Sequence, residues 1–312
     1  MTCYAPLVLL HGFAQDGASW EEVAAINDWR FIRLPLFGFE GALATLSAAD
    51  GCRLAIAVDV PGDARPAETA APDAPCEAMG RAGIPPAGKP QPNPARYQLD
   101  AAAAQLRALA RAVEDARRCA PMAVGYSQGG RLLLHALATQ QPATDDRFPL
   151  SALVLESAGL GPESEEQRAA FAQRSQQWAV RARTQGTEAF MDWWAGLPLF
   201  ASQRRLPPER QQLLRDGRLS RTPEELALSL EGLGQQHQAS EAATLAALQH
   251  LMAAEGVPVA YIAGTLDEKY SAIGRKLAQH FAHQPLFTLH GIADAGHNTH
   301  FEQPAPFAAL LS

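Results

Sequence analysis

The chain has 312 residues, of which 47% are apolar and 19% are charged, and its formal net charge is −7. This size and composition predict one sizeable hydrophobic core with an accessory element, and the lack of a basic face or a Lys/Arg run argues against a nucleic-acid partner. The longest early apolar run, residues 6–10, is too short to cross a bilayer and carries no basic leader or cleavage site, so we expect a cytoplasmic protein with no secretory signal and no membrane partner.

Apolar runs along the chain predict strands, and helical patterns follow most of them. The predicted strands are 6–10, 53–60, 121–126, 150–156, 257–263 and 285–290. The predicted helices are 20–26, 99–118, 131–139, 271–280 and 304–311. Because strands and helices alternate, we expect an α/β fold with a mostly parallel sheet flanked by helices.

Two segments interrupt this alternation. Residues 61–95 hold nine of the 23 prolines and no Leu, Val, Phe, Tyr or Trp, so they predict a surface insertion without a packed core. Residues 159–255 are polar and helical in pattern and lie between two predicted strands. They predict a helical cap over the carboxyl edge of the sheet, where sites of open α/β sheets form, on a core made of residues 1–158 and 256–312.

A G-x-S-x-G motif joins the third predicted strand to the helix that follows it. Such a nucleophile elbow needs small residues on both sides of a sharp turn, which Gly125 and Gly129 supply. The turn exposes the hydroxyl of Ser127 at a helix N-terminus. Ser127 is therefore the candidate catalytic residue.

A catalytic serine needs a base and an orienting acid, which follow it in the order acid, then histidine, on one widespread α/β scaffold. Asp267 comes directly after a predicted strand and is favoured as the acid over Glu268 and Asp294. His297 follows a glycine in a loop after the last predicted strand and is favoured as the base over His300.

An oxyanion hole completes the predicted constellation. The first strand ends in His11-Gly12-Phe13, and the backbone N–H groups of Phe13 and Gln128 are the candidate donors. Each piece alone also fits an ordinary turn or a buried histidine. Together, in this order and each at a strand end, they predict the α/β-hydrolase fold, with the helical cap inserted after the sixth-strand position.

Several fragments resemble one family of this fold, the 2-succinyl-6-hydroxy-2,4-cyclohexadiene-1-carboxylate synthases (MenH) of menaquinone and phylloquinone biosynthesis. They are GYSQGGR at 125–131, ESAGL at 156–160, EQR at 166–168, DWW at 192–194 with PLFAS at 198–202, and AGHNTHFEQP at 295–304. The resemblance implies a carbon–oxygen lyase that eliminates pyruvate, in which serine acts as a base. It implies a small-molecule polycarboxylate as partner and no cofactor.

A site for a substrate with three carboxylates should contain several arginines, because their planar guanidinium groups bind carboxylates bidentately. Arg131 lies about one helical turn after Ser127, and Arg218 stands where the family has a substrate-binding arginine. Tyr126 and Trp193 are the other candidates for the pocket. The family's further arginine, on the first cap helix, is replaced by Phe171; Arg168 and Arg174 flank it by three residues, and either can substitute.

Other readings stay open from the sequence alone. A serine esterase or C–C bond hydrolase would use Ser127 as a covalent nucleophile, and a ligand receptor would keep the scaffold without catalysis. The four cysteines lack a C-x-x-C spacing, which indicates reduced thiols, and we expect no metal site. The histidine expected in a family turn is Asp63 here.

Overall fold

The computed structural model describes residues 5–42, 53–60, 92–141 and 146–312. Strands within these residues are β1 (Leu7–Leu10), β2 (Arg30–Pro35), β3 (Leu54–Asp59), β4 (Met122–Tyr126), β5 (Ala152–Glu156), β6 (Val259–Gly264) and β7 (Phe287–Ile292). They form a parallel sheet in the order β2-β3-β1-β4-β5-β6-β7. The predicted parallel α/β architecture is confirmed.

The sheet contains one strand that the sequence analysis missed, β2. It pairs with β3 and lies at an edge of the sheet, and most of its side chains are only half-buried. Arg30 and Arg33 interrupt its apolar pattern, and Pro35 ends it. An edge strand tolerates such residues because one side of it faces solvent, so it lacks the continuous apolar run that marks the central strands.

Helices cover both faces of the sheet. The α-helices are α1 (Glu21–Ile26), α2 (Leu99–Arg117), α3 (Gln128–Ala138), α4 (Glu165–Ala195), α5 (Pro208–Leu219), α6 (Pro223–Gly232), α7 (Glu241–Ala253), α8 (Glu268–His280), α9 (Thr299–Glu302) and α10 (Pro304–Ala309). Short 3-10 helices lie at Gly17–Trp20, Phe39–Ala42, Pro94–Tyr97, Pro198–Phe200, Ser202–Arg205 and Gln235–His237. No helix among the described residues is both long and apolar enough to cross a membrane.

The core lies on the two faces of the sheet. Alternate residues of a strand point to opposite faces, and β1 shows this directly: Val8 and Leu10 belong to one buried cluster, and Leu7 and Leu9 to the other. All four side chains are at most 3% exposed. Burial on both faces explains why the central strands are continuous apolar runs.

The helices between β5 and β6 form a layer over the carboxyl edge of the sheet. Its first helix, α4, is broken at Gly186, whose φ of 78° is a left-handed conformation that glycine adopts without strain. Phe190 and Leu226 pack in a small cluster of this layer, together with Ala14 of the core. The last helix, α7, instead buries Leu248 in the main core. The layer follows the fifth of these seven strands.

The proline-rich segment can be followed only at its end. Residues 61–91, including Asp63, lie outside the described residues. Pro94–Tyr97 is a 3-10 helix, and the Asn93 side chain accepts a hydrogen bond from the backbone N–H of Ala95. The expectation of a surface insertion over 61–95 stays a prediction.

Candidate active site

Ser127 lies in a tight turn between β4 and α3. Its φ of 49° and ψ of −102° are rare for a residue with a side chain, and the turn leaves no room beside it. A Cβ atom at Gly125 would lie 2.6 Å from the backbone nitrogen of Gly130, and one at Gly129 would lie 2.5 Å from the carbonyl oxygen of Leu10. The two glycines of the motif are therefore required by packing.

A chain of hydrogen bonds runs from Ser127 into the core. The Oγ atom of Ser127 is 3.1 Å from Nε2 of His297, and Nδ1 of His297 is 2.8 Å from Oδ2 of Asp267. His297 is 2% exposed and Asp267 is 6% exposed. The second oxygen of Asp267 accepts from the backbone N–H of Tyr270 at the start of α8. The structure thus joins three residues that are distant in the sequence.

The alternative residues lie elsewhere. Glu268 and Asp294 are exposed, and His300 is bonded through Nδ1 to the carboxylate of Glu156 at 2.7 Å. With Asp267 as acceptor, Nδ1 of His297 carries the ring proton, and Nε2 is left to accept from the Ser127 hydroxyl. This arrangement lets the imidazole take a proton from the serine.

The two predicted N–H donors belong to residues that line the cleft together with Ser127. Gln128 is the first residue of α3, so its N–H has no carbonyl one turn earlier in the helix. Phe13 lies in the loop after β1, and His11 braces that loop, with Nδ1 at 2.8 Å from the Gly12 carbonyl oxygen and Nε2 accepting from the N–H of Val60. Burial lowers the pKa of His11, so the ring stays neutral in this role.

A cleft of about 900 Å³, measured out to its opening, leads to Ser127 and His297. Core residues form its floor and helices of the overlying layer form its roof. The floor includes Phe13, Gln15, Tyr126, Gln128, Arg131, Lys269 and Tyr270, and the roof includes Arg174, Trp178, Trp194, Phe200, Arg218, Ser229 and Gln235.

The charge of the cleft is opposite to that of the chain. Arg131, Arg174, Arg218 and Lys269 line it, and among the described residues no Asp or Glu does, although the chain as a whole carries a net charge of −7. None of the three arginines forms an ion pair within the described part of the chain. Desolvated cations without a protein counter-ion indicate a site for an anionic ligand.

The arginines are held by neutral groups. Arg131 donates to the carbonyl oxygen of Leu233 at 3.0 Å, and burial lowers its pKa to about 10, so it stays charged at neutral pH. Arg218 is 7% exposed and donates to Oε1 of Gln203 at 2.7 Å. Burial lowers the pKa of Arg218 as well.

The structure separates the two candidates for the missing family arginine. Arg174 lines the cleft, donates to Oε1 of Gln235 at 2.7 Å and lies over the ring of Phe171. Its Nε atom is buried and has no hydrogen-bond partner among the described residues. Arg168 instead donates to the carbonyl oxygens of Gln236 and Gln238 at 2.6 and 3.0 Å and is not part of the cleft wall. Arg174 is the one placed to meet a ligand.

Two further predicted residues, Tyr126 and Trp193, also differ in whether they line the cleft. Tyr126 lines the cleft, and burial beside the carboxylate of Glu156 raises its pKa well above the usual value, so its hydroxyl stays protonated. Trp193 does not line the cleft; it packs between other rings and under the guanidinium group of Arg181. Trp178 and Trp194 take the place expected for it.

Lys269 was not predicted, although it lies two residues after the proposed acid. Its ammonium group is 4.9 Å from the centre of the Tyr270 ring, at the cleft wall. The overlying layer also reaches the serine turn directly, because the side chain of Gln128 donates to Oγ of Ser229 on α6 at 3.0 Å. Among the described residues, no group of three or more His, Cys, Asp or Glu side chains is arranged to hold a metal ion.

Comparisons with known proteins agree with this architecture. A model of the alpha/beta hydrolase family matches residues 7–310. A putative 2-succinyl-6-hydroxy-2,4-cyclohexadiene-1-carboxylate synthase of Bacillus subtilis (strain 168) is 34% identical over 189 residues, which are 61% of this chain and 63% of that protein. A synthase of the same name from Salmonella heidelberg (strain SL476) is 33% identical over 183 residues, 58% of this chain. The chain thus spans 63% of the length of these relatives.

Two solved structures illustrate the likeness of fold. MenH from S. aureus aligns with a TM-score of 0.70 at 22% identity, covering 100% of this chain and 93% of that one. An esterase from Thermogutta terrifontis aligns with a TM-score of 0.59 at 19% identity, covering 100% of this chain and 89% of that one. At these identities the likeness bears on the fold alone.

Proposed function

Because the chain belongs to the alpha/beta hydrolase family, we propose that it uses the machinery of that fold as a lyase. It eliminates pyruvate from 2-succinyl-5-enolpyruvyl-6-hydroxy-3-cyclohexene-1-carboxylate and leaves 2-succinyl-6-hydroxy-2,4-cyclohexadiene-1-carboxylate. The observation that carries the proposal is the cleft over Ser127, where four cations meet and no carboxylate of the described residues lines the wall. The curated relatives that are 33–34% identical bear the name of this synthase, which supports the same reaction.

The substrate fits the charge of the cleft. It carries three carboxylates, and Arg131, Arg174, Arg218 and Lys269 offer four cationic groups. Guanidinium groups that already lack water gain most from a carboxylate partner, since the charge is otherwise uncompensated. Trp178 and Trp194 supply apolar surface for the ring.

Ser127, Asp267 and His297 act as a catalytic triad in which the serine is a base. As Oγ of Ser127 removes the ring proton next to the succinyl carbonyl, its own proton passes to Nε2 of His297, 3.1 Å away. Asp267, bonded to Nδ1, stabilises the imidazolium that forms. No acyl-enzyme is made.

The electron pair of the broken C–H bond moves through the ring double bond and expels the enolpyruvyl oxygen. Enolpyruvate takes up the proton held by His297 and becomes pyruvate, so atoms and charge balance. The N–H groups of Phe13 and Gln128 stabilise the negative charge that develops on the succinyl carbonyl oxygen. The residues present perform every step without a metal or a cofactor.

The wider setting belongs to the same proposal. The enzyme acts in the cytoplasm on a small molecule, in menaquinone or phylloquinone biosynthesis, without a nucleic-acid or membrane partner. Residues 1–158 and 256–312 form the catalytic core and residues 159–255 the cap that selects the substrate.

The test is a turnover assay with the cyclohexene substrate in which released pyruvate is followed through lactate dehydrogenase and NADH. We expect catalytic release by the wild-type chain and none above background with Ser127→Ala. Removal of one carboxylate from the substrate should raise KM.

A serine esterase or C–C bond hydrolase would behave differently. It would show a burst of leaving group from an activated ester, with an acyl group on Ser127, and no pyruvate from the cyclohexene. That pair of results would replace the lyase by a hydrolase. Unchanged function of Ser127→Ala would instead favour a ligand receptor.

A further inference from the structure

The loop that carries His297 is held by carboxylates that take no part in the proposed proton transfer. Glu302, which is 7% exposed, accepts from the backbone N–H of Gly296 at 2.7 Å and from that of Asn298 at 3.2 Å, through separate oxygens. These two residues are the immediate neighbours of His297. One side chain therefore fixes the backbone on both sides of the base.

A second carboxylate holds the other end of the loop. Glu156 is fully buried, and its Oε1 accepts from the Thr299 hydroxyl at 2.7 Å and from the His300 N–H at 3.0 Å. Its Oε2 is 2.7 Å from Nδ1 of His300, whose ring stacks on Trp20. The backbone carbonyl of Glu156 also accepts from the N–H of Ser127 at 2.8 Å. Glu156 thus contacts the serine turn and the histidine loop at once.

Burying two carboxylates is costly unless each is satisfied by donors. Apolar side chains would fill the same space but would leave the backbone N–H groups of Gly296, Asn298 and His300 without these acceptors. Their five hydrogen bonds all end on residues 296–300. What they secure is the position of the imidazole relative to Ser127 and Asp267.

We propose that Glu302 and Glu156 are positioning residues, a pair of carboxylates that set the distance between His297 and Ser127. The inference deepens the proposed lyase function and rests on it for the turnover measurements. Misplacing a catalytic group by about 1 Å can cost roughly 10²-fold in rate, so the effect should appear in kcat. KM should change little, because the cationic residues of the cleft lie on other elements.

The two carboxylates should respond differently to the same substitution. In Glu302→Gln the new amide group faces a backbone N–H, which cannot turn into an acceptor, so one of the two hydrogen bonds is lost. In Glu156→Gln the amide group faces the imidazole of His300, which can move its proton from Nδ1 to Nε2 and accept; Nε2 has no hydrogen-bond partner among the described residues in either tautomer, so no existing bond is lost there. The other oxygen still accepts from Thr299 and His300. Glu156→Gln therefore keeps the geometry, and Glu156→Ala does not.

The experiment compares wild type, Glu302→Gln, Glu156→Gln and Glu156→Ala, with Glu165→Gln on the exposed surface of the cap as a matched control. Two rates are measured: pyruvate release, and modification of Ser127 by a fluorophosphonate. In that modification Oγ attacks phosphorus, fluoride leaves, and His297 takes the proton. Labelling reads the serine–histidine geometry without the natural substrate.

We expect kcat and the labelling rate to fall together, by about 10- to 100-fold in Glu302→Gln and Glu156→Ala. Both should stay within about threefold of wild type in Glu156→Gln and in the control, and KM should stay within about threefold in all of them. If Glu302→Gln does not fold, Thr299→Val replaces it in the test: it removes one hydrogen bond of the loop and keeps the shape of the side chain, and both rates should fall by more than the threefold range of the control.

Wild-type rates in both Glu302→Gln and Glu156→Ala would overturn the proposal, as would equal losses in Glu156→Gln and Glu156→Ala, since charge and not hydrogen bonding would then be responsible. Failure of the proposed function looks different. In that case the wild-type chain releases no pyruvate, while labelling still ranks the variants and decides the role of the carboxylates.

Discussion

Two parts of the molecule contribute to the cleft in different ways: the sheet with its flanking helices, called the core below, and the helical layer between β5 and β6, called the cap. The core residues of the site come from turns at strand ends and are fixed by short hydrogen bonds, many of them to the backbone, as for Ser127 and Asp267. The cap arginines, Arg174 and Arg218, are each held by one glutamine oxygen and by the faces of aromatic rings. The core is built for one geometry, whereas the cap presents charge that a ligand can still engage.

This difference predicts a division of labour between rate and affinity. Groups in the core should determine kcat, because the proton transfer depends on distances within tenths of an ångström. Groups in the cap should determine KM, because each carboxylate contact adds to binding before and during the reaction alike. Arg131 and Lys269 belong to the core but line the cleft with their cationic groups. We therefore expect them to affect KM as the cap arginines do.

The strongest test of the division is Ser127→Ala. Loss of the proposed base should lower kcat by about 10³- to 10⁴-fold and leave KM and the melting temperature nearly unchanged. Steady-state pyruvate release and differential scanning calorimetry measure these quantities. Activity within a few-fold of wild type would reject the mechanism outright.

Asp267→Asn should have the next largest effect. The amide cannot stabilise the imidazolium, and its NH₂ group favours the tautomer of His297 that cannot accept from the serine. We expect kcat to fall about 10³-fold with KM retained, measured in the same assay. A change in KM alone would contradict the assignment of Asp267 to the residues that determine kcat.

A matched pair on one cap helix sharpens the comparison. Arg174→Ala should raise KM roughly 10- to 100-fold with a small change in kcat, since a hydrogen-bonded charge pair with the ligand contributes about 1.5–3 kcal/mol. Arg168→Ala should leave both constants within about twofold and instead lower the melting temperature, because it loses the hydrogen bonds to Gln236 and Gln238. If Arg168→Ala raised KM and Arg174→Ala lowered only the melting temperature, Arg168 would be the ligand-binding residue.

Much of the core was predictable because the motif residues are required by local geometry. Only glycine fits at positions 125 and 129, and the carboxyl ends of parallel strands gather Ser127, Asp267 and His297 at one edge. The order and spacing of these residues along the chain were therefore enough to predict which of them lie together. The fold and the hydrogen-bonded residues followed from it.

The cap was less predictable because the rotation of a helix is set by what packs against it. Arg168 and Arg174 are six residues apart, so their side chains point about 120° away from each other around the axis. Either side chain could have faced the cleft. The packing of α4 against α6 and the 235–237 turn places that of Arg174 there. The choice of Trp194 over Trp193 has the same origin, since neighbouring residues of a helix point to different sides.

The left-handed backbone of Ser127 has a further consequence for the molecule as a whole. A residue with a side chain in such a conformation costs of order 1–3 kcal/mol, which the surrounding packing must offset. Glycine at this position would relieve that cost and should make the protein melt at a higher temperature, yet inert. The folded state is thus less stable than it would be with glycine at this position, and the lost stability lies in the backbone of the residue that carries the reacting hydroxyl.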